Sequence, residues 1–272
     1  MRVFFRALFA MVVVGVVAPA ALAAAPAAAA TGPQLQYLGG PVLSHVVVDP
    51  VIWGRWSYGS RVPISGTRSL SSFYRGITQS RYFDWLSEYN TPTQSIGRGS
   101  FGQVYRITPS AAHDGTTVTS DDIAAELNSQ IAAGHLPKPS TNRLYVVLFH
   151  ANQVISTPFG NSRTTFCAYH DSIAHTSHRI DLAVIPYEVG NAGCQPASST
   201  FTNLTTVMSH ELIEAVTDPA VGLHKLAWYD QTYGEIGDIC ARTTPGSVTG
   251  GDGVAYVVQR EWSNRRRACV LT

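Results

Sequence analysis

Apolar and polar positions alternate along this chain in a way that marks out its elements one by one. Residues 42–53 follow the break at Gly39-Gly40-Pro41 and are dense in β-branched residues, which predicts a strand despite Pro50. Residues 70–89 carry Phe73, Tyr74, Ile77, Phe83, Trp85, Leu86 and Tyr89 at helical spacing, a pattern for a helix packed on a core. Residues 101–107 read as a strand. Thr119-Ser120-Asp121-Asp122 opens a second helix to about residue 133, with a capping hydroxyl and acids in the first turn. Residues 143–149, 164–170 and 180–186 read as further strands, the first ending near His150 and the second at His170. Strand-like stretches return at 254–259 and 269–271.

Between the last two groups lies the segment that carries chemistry. Thr206-Val207-Met208-Ser209-His210-Glu211-Leu212-Ile213-Glu214-Ala215-Val216-Thr217 is a helix stopped by Asp218-Pro219, because a residue before proline is pushed out of the α region. One turn separates His210 from Glu214, so both project from one face, with Glu211 beside them. An imidazole and a carboxylate so placed grip one cation, and a second carboxylate stands ready as a base. This is H-E-x-x-E, a variant of the zinc-hydrolase pattern H-E-x-x-H in which carboxylate oxygen replaces the second imidazole. A structural ion-pair network is the competing reading. The apolar company of the charges favours a metal, since burying unpaired charge is costly.

A third ligand is expected after the helix, where Asp230, Glu235 and Asp238 fall within nine residues. Glu235 and Asp238 are equal candidates, and His224 lies between the two segments. A site rich in carboxylates leaves calcium or manganese open beside zinc. His150 and His170, each at a predicted strand end, are candidate donors to a developing oxyanion.

Elements of both kinds are mixed without a βαβ period or an internal repeat. The expected fold is α+β: a mixed sheet with one backing helix and the His210 helix across it, in a single disulfide-stabilised domain over 31–272. Residues 1–30 read as a secretory signal peptide, with Arg2 and Arg6, an apolar run over 7–17 and the small-residue stretch Ala21-Leu22-Ala23. Its removal lowers the formal charge from +1 to −1, which gives no reason to expect nucleic acid or a membrane as partner. The four cysteines of the exported chain, Cys167, Cys194, Cys240 and Cys269, imply two disulfides. Of the three pairings, the local one, Cys167–Cys194 with Cys240–Cys269, is expected.

Gly97-Arg98-Gly99-Ser100-Phe101-Gly102-Gln103-Val104 matches the glycine loop of protein kinases, but no strand lysine, H-R-D or D-F-G follows. It reads instead as a glycine-rich turn leading into a strand. No G-x-S-x-G elbow points to a serine hydrolase.

His210-Glu211-Leu212 with Ala215-Val216-Thr217-Asp218 resembles the active helix of thermolysin-type metallopeptidases, with Glu214 in place of the second histidine. A glutamate ligand follows that helix at a distance comparable to Glu235, 21 residues beyond Glu214. The resemblance ends there, because the glycines around Glu235 do not suit a helix. A broader resemblance is to the phosphate-induced protein 1 (EXORDIUM-like) family of secreted proteins. It rests on Gly39-Gly40-Pro41-Val42-Leu43, the tryptophan-bearing strand over 47–53, the Cys167 region, His210-Glu211-Leu212 with Glu214-Ala215 and Thr217-Asp218-Pro219, then Trp228-Tyr229-Asp230 and Gly234-Glu235-Ile236-Gly237-Asp238 before Cys240. That family implies an extracellular, wall-associated protein more than any particular chemistry.

Two functional expectations follow. The first is a secreted, zincin-like metallopeptidase in which His210, Glu214 and Glu235 or Asp238 hold zinc and Glu211 takes a proton from the attacking water. The second is a non-catalytic, carbohydrate- or wall-binding protein whose metal is structural or absent.

Overall fold

The computed structural model describes residues 32–187, 189, 194 and 199–272, so the expected leader at 1–30 lies outside the described residues. Residues 32–272 form one compact unit. A short strand, β1 (Gln36–Tyr37), precedes β2 (Val47–Trp53), which is buried from its second residue onward. The helix expected over 70–89 is interrupted: α1 (Leu70–Ile77) ends, α2 (Arg81–Asp84) restarts, and residues 85–89 form a 3-10 turn. Local hydroxyls cause the break. The Thr78 hydroxyl donates back to the Tyr74 carbonyl at 2.7 Å, and Ser80 caps the next helix by accepting the Tyr82 amide at 3.2 Å.

The strand expected over 101–107 is likewise split into β3 (Ser100–Phe101) and β4 (Tyr105–Ile107), both parallel to β2. The gap falls opposite Asp49-Pro50. Proline brings no N–H to the ladder, and the buried Asp49 carboxylate accepts the Gln103 amide at 3.1 Å in place of a backbone partner. Arg143 closes the pair with Asp49. The kinase-like glycines are a packing requirement here, because a Cβ on Gly99 would lie 2.5 Å from the Val46 carbonyl oxygen and one on Gly102 2.1 Å from Asp49 Oδ1.

The chain continues through β5 (Thr117–Thr119), α3 (Ser120–Ala132), β6 (Arg143–Leu148), β7 (Val154–Thr157), β8 (Gly160–Asn161), β9 (Tyr169–Ile173) and β10 (Ile180–Ile185). Thr119 and Asp122 close a reciprocal capping box on α3, as expected. Then come α4 (Thr200–Thr217), β11 (Trp228–Tyr229), β12 (Gly246–Thr249), β13 (Ala255–Val258), β14 (Glu261–Ser263) and β15 (Ala268–Val270). The principal sheet has the order β3-β2-β6-β10-β9, with β4 also on β2. Strands β2, β6 and β10 are parallel, and β9 is an antiparallel edge.

Alternation along β6 and β10 divides the core in two. Leu144, Val146, Leu148, Ala183 and Ile185 face one side, packed with α1 and with Leu204, Met208 and Leu212 of α4. Tyr145, Val147, Leu182 and Val184 face the other, against Ile123, Leu127 and Ile131 of α3. The fold is therefore mixed α+β, with α3 behind the sheet and α4 across the opposite face. Both disulfides are the local ones, Cys167–Cys194 and Cys240–Cys269. Among the described residues no helix is long and apolar enough to cross a membrane.

Candidate metal centre

Helix α4 begins where Ser199 accepts the Thr202 amide and runs to the Asp218-Pro219 stop. Its spacing brings His210 Nε2 within 3.1 Å of Glu214 Oε2. Glu211 and Glu214 are each only 3% exposed. Glu211 Oε1 stands 4.0 Å from the same His210 nitrogen.

Strand β9 supplies a group that the sequence placed at a strand end. Because the strand starts at Tyr169 rather than near 164, His170 lies inside it and points inward, paired across from Ala183. Residues 161–165 are instead drawn into a turn, where the Asn161 side chain accepts the Arg163 amide at 3.0 Å. His170 Nδ1 is 3.4 Å from Glu214 Oε2 and 3.6 Å from Glu211 Oε2. Its Nε2 is 3.1 Å from the Asp218 carbonyl oxygen and 3.3 Å from Glu235 Oε1. His170, a candidate oxyanion donor by its sequence position, thus stands among the carboxylates of Glu211, Glu214 and Glu235.

The loop after α4 is folded back by its own polar groups. Asp218 Oδ1 accepts the Ala227 amide at 2.7 Å, and Asp230 and Gly234 exchange backbone hydrogen bonds at 2.9 Å. Gly234 has φ +85°, a conformation that suits glycine, and this turn presents Glu235. Gly237 then lies flush on the helix, since a Cβ there would be 2.7 Å from His210 Nδ1 and 2.8 Å from Glu214 Oε1. That close approach lets the Asp238 amide donate to Glu214 Oε1 at 3.1 Å, while the Asp238 carboxylate accepts the Glu235 amide at 3.3 Å. Glu235 therefore joins His170, and Asp238 shapes the loop and reaches the cavity wall.

Two groups of donors result, His210–Glu211–Glu214 and His170–Glu214–Glu235, with the ligand atoms of each within 4.8 Å of one another. Glu214 belongs to both. His224 is exposed on the loop after α4, and His150 stands beside Asp114 at 4.0 Å, so neither enters these groups. Gln259, which the sequence did not single out, puts its side-chain amide nitrogen 2.8 Å from His210 Nδ1 and 2.9 Å from the Gly237 carbonyl oxygen.

Electrostatics within the cluster are governed by burial and by these contacts. Burial alone would lower both imidazoles, yet the carboxylates around them raise His170 and His210 well above the ordinary histidine value. Burial pushes Glu214 up, but His210 and His170 overcome it and hold its carboxyl well below the usual range. Glu211 is raised by burial, and Glu235 is pushed up to about 8 by the same cause, only partly offset by His170. Among the described residues, the ion pairs of Glu211, Glu214 and Glu235 run to these two histidines and to no arginine or lysine.

Two carboxylate oxygens of the cluster, Glu211 Oε2 and Glu235 Oε1, are buried without a hydrogen-bond donor. Such atoms are expensive to leave unpaired, and a divalent cation would satisfy them. The mixed imidazole and carboxylate set fits zinc or manganese chemistry. A cavity of about 420 Å³ opens against the cluster, with His210, Glu211, Asp238 and Gln259 on its floor and Phe166, Ala168 and Val207 among its apolar walls.

Comparison with known proteins returns no matching family model, no matching curated protein and no matching solved structure.

Proposed function

We propose that this protein is an exported, metal-dependent hydrolase, zincin-like in the way α4 lies across the sheet, and that it cleaves peptide bonds. The observation that carries this reading is the position of Glu211: it borders the cavity while its neighbours His210 and Glu214 stand 3.1 Å apart on the same helix. His210 and Glu214, with Glu235 or Asp238, would hold a divalent cation, zinc in the first instance, which when bound would supply Lewis acidity toward a carbonyl oxygen. Glu211, raised by burial, takes a proton from the attacking water and passes it to the departing amine. The Asp238 amide holds the far oxygen of Glu214. Phe166, Ala168 and Val207 suit a small apolar side chain of the substrate. Two disulfides and the leader-like first 30 residues support a place outside the cell.

The test is Glu211→Gln, assayed with zinc-loaded protein on a fluorogenic peptide library. Turnover should fall by about 10²–10⁴-fold while metal content stays at the wild-type level. Undiminished turnover would refute the base. Loaded wild-type protein that cleaves no peptide would favour a wall-associated binding protein, as the resemblance to phosphate-induced protein 1 implies.

A further inference from the structure

Away from the carboxylate cluster, one cavity has charged walls of a single sign. It encloses about 420 Å³ between the turn after α4 and the turn that joins β9 to β10. His175, Arg179 and Lys225 line it together with Pro41, Ala220 and Leu223, and no acid does. A second cavity of about 430 Å³ shares Pro41 and Lys225, adds His224 and again has no acid in its lining. Lysine is scarce in this chain, Lys138 and Lys225 being the only two. Among the described residues the ion pairs of lysine and arginine are those of Arg98, Arg143 and Arg179, so Lys225 has none.

The polar atoms offered to the first cavity are donors. Arg179 places Nε 2.5 Å from Asp181 Oδ1, while its Nη2 is buried without a hydrogen-bond partner. Such an orphan on a guanidinium is costly, and the side chains of this lining supply no free acceptor for it. The Ser177 amide, which can only donate, lies 3.4 Å from His175 Nδ1, so that nitrogen accepts and the neutral ring carries its proton on Nε2. Lys225 brings an ammonium with three N–H groups. The acids of the adjoining strands are occupied outside the lining: Asp181 with Arg179 Nε, and Asp171 with the Ser172 amide at 2.7 Å.

Backbone contacts hold the wall that carries Lys225. The Lys225 amide donates to the Ala220 carbonyl at 3.1 Å, and the Gly40 amide donates to the Leu226 carbonyl at 2.8 Å. Gly40 allows that approach, because a Cβ there would lie 2.6 Å from the Leu226 carbonyl oxygen. The ammonium therefore projects from a fixed turn.

We propose that this cavity binds a small organic anion, a carboxylate or phosphate group on an apolar body. Lys225 and Arg179 meet the oxyanion, since both suit its charge and the arginine fork suits its geometry. His175 adds a neutral donor, and Pro41, Ala220 and Leu223 pack on the apolar part. The site is separate from the metal-dependent reading and does not rest on it.

The experiment is calorimetric titration of the full-length secreted protein, stripped of metal so that no bound ion takes the anion, with benzoate, phenyl phosphate and the neutral benzyl alcohol. One or both anions should bind in the millimolar range, and whichever binds identifies the oxyanion. Benzyl alcohol should not bind. Lys225→Glu reverses the charge at an exposed position and should weaken anion binding by at least about tenfold, the worth of one hydrogen bond to a charged group. Saturating anion should also shield Lys225, and not Lys138, from acetylation read by peptide mass spectrometry. Binding of neither anion, undiminished binding by Lys225→Glu, equal binding of benzyl alcohol, or a bound anion that leaves Lys225 unshielded would overturn the site. None of these outcomes bears on the hydrolase, because the stripped protein carries no ion.

Discussion

The side-chain amide nitrogen of Gln259 lies 2.8 Å from Nδ1 of His210. Gln259 follows β13 at a position 49 residues beyond its partner, and its own backbone amide donates to Ser209 Oγ at 2.9 Å. The tail of the chain is thereby fastened to the turn of α4 that carries His210 and Glu211. With the same side chain held to the Gly237 carbonyl oxygen, one residue ties the helix, the Glu235 loop and the tail together.

Replacing Gln259 should disturb the metal without unfolding the chain. An amide nitrogen donates, so at Nδ1 it leaves the ring proton of neutral His210 on Nε2, the nitrogen that faces Glu214. Gln259→Ala removes that donor and is therefore expected to strengthen zinc binding at Nε2 by up to about tenfold, the worth of one hydrogen bond, measured by competition with a chromophoric chelator. Its far-ultraviolet circular dichroism should match wild type. Unchanged or weaker affinity would mean that Gln259 does not set the ring proton.

Glu261 gives a prediction about pH. This residue is fully buried in β14, where Tyr82 donates to its Oε1 at 2.7 Å, and burial pushes its carboxyl up to about 8, partly opposed by His210. A buried acid whose folded value is raised favours the folded state when protonated. Its contribution is fully present below the unfolded value near 4.5 and is lost as pH rises through about 8. Glu261→Gln mimics the protonated form, so the variant should gain on wild type between about pH 5 and pH 9 by a few kcal/mol at most. Urea midpoints for both proteins at the two pH values provide the check. A constant difference would show that Glu261 does not titrate in that window.

The Cys240–Cys269 bond anchors the turn that follows Asp238. It closes a loop with a sequence separation of 29, for which chain entropy gives about 3–4 kcal/mol. The double variant Cys240→Ser, Cys269→Ser should lose stability of that order in urea unfolding. It should also bind metal more weakly, because the Asp238 amide that holds Glu214 Oε1 at 3.1 Å lies two residues before Cys240. Intact affinity at reduced stability would show that the Gly237 contact on His210 suffices to place the turn.

Much of this was written locally. The 3.6-residue period and the Asp218-Pro219 stop determined α4, and with it the facing of His210, Glu211 and Glu214, because helical geometry alone sets which side chains share a face. The capping box of α3 and the local disulfides were equally legible. The single helix that the aromatic spacing implies over 70–89 is broken by the hydroxyls of Thr78 and Ser80, which bond to nearby backbone and restart the turn. The rest of the site depended on tertiary structure. His170 is separated from His210 by 40 residues, Gln259 by 49, and no periodicity relates them. Their meeting required β9 to pair antiparallel with β10, so that alternation turned His170 toward α4, and required the tail to cross that helix. Glu235 and Asp238 looked interchangeable as acids in a loop. Only the backbone at Gly234 and Gly237 separated them, directing Glu235 to His170 and leaving Asp238 to hold Glu214 by its amide.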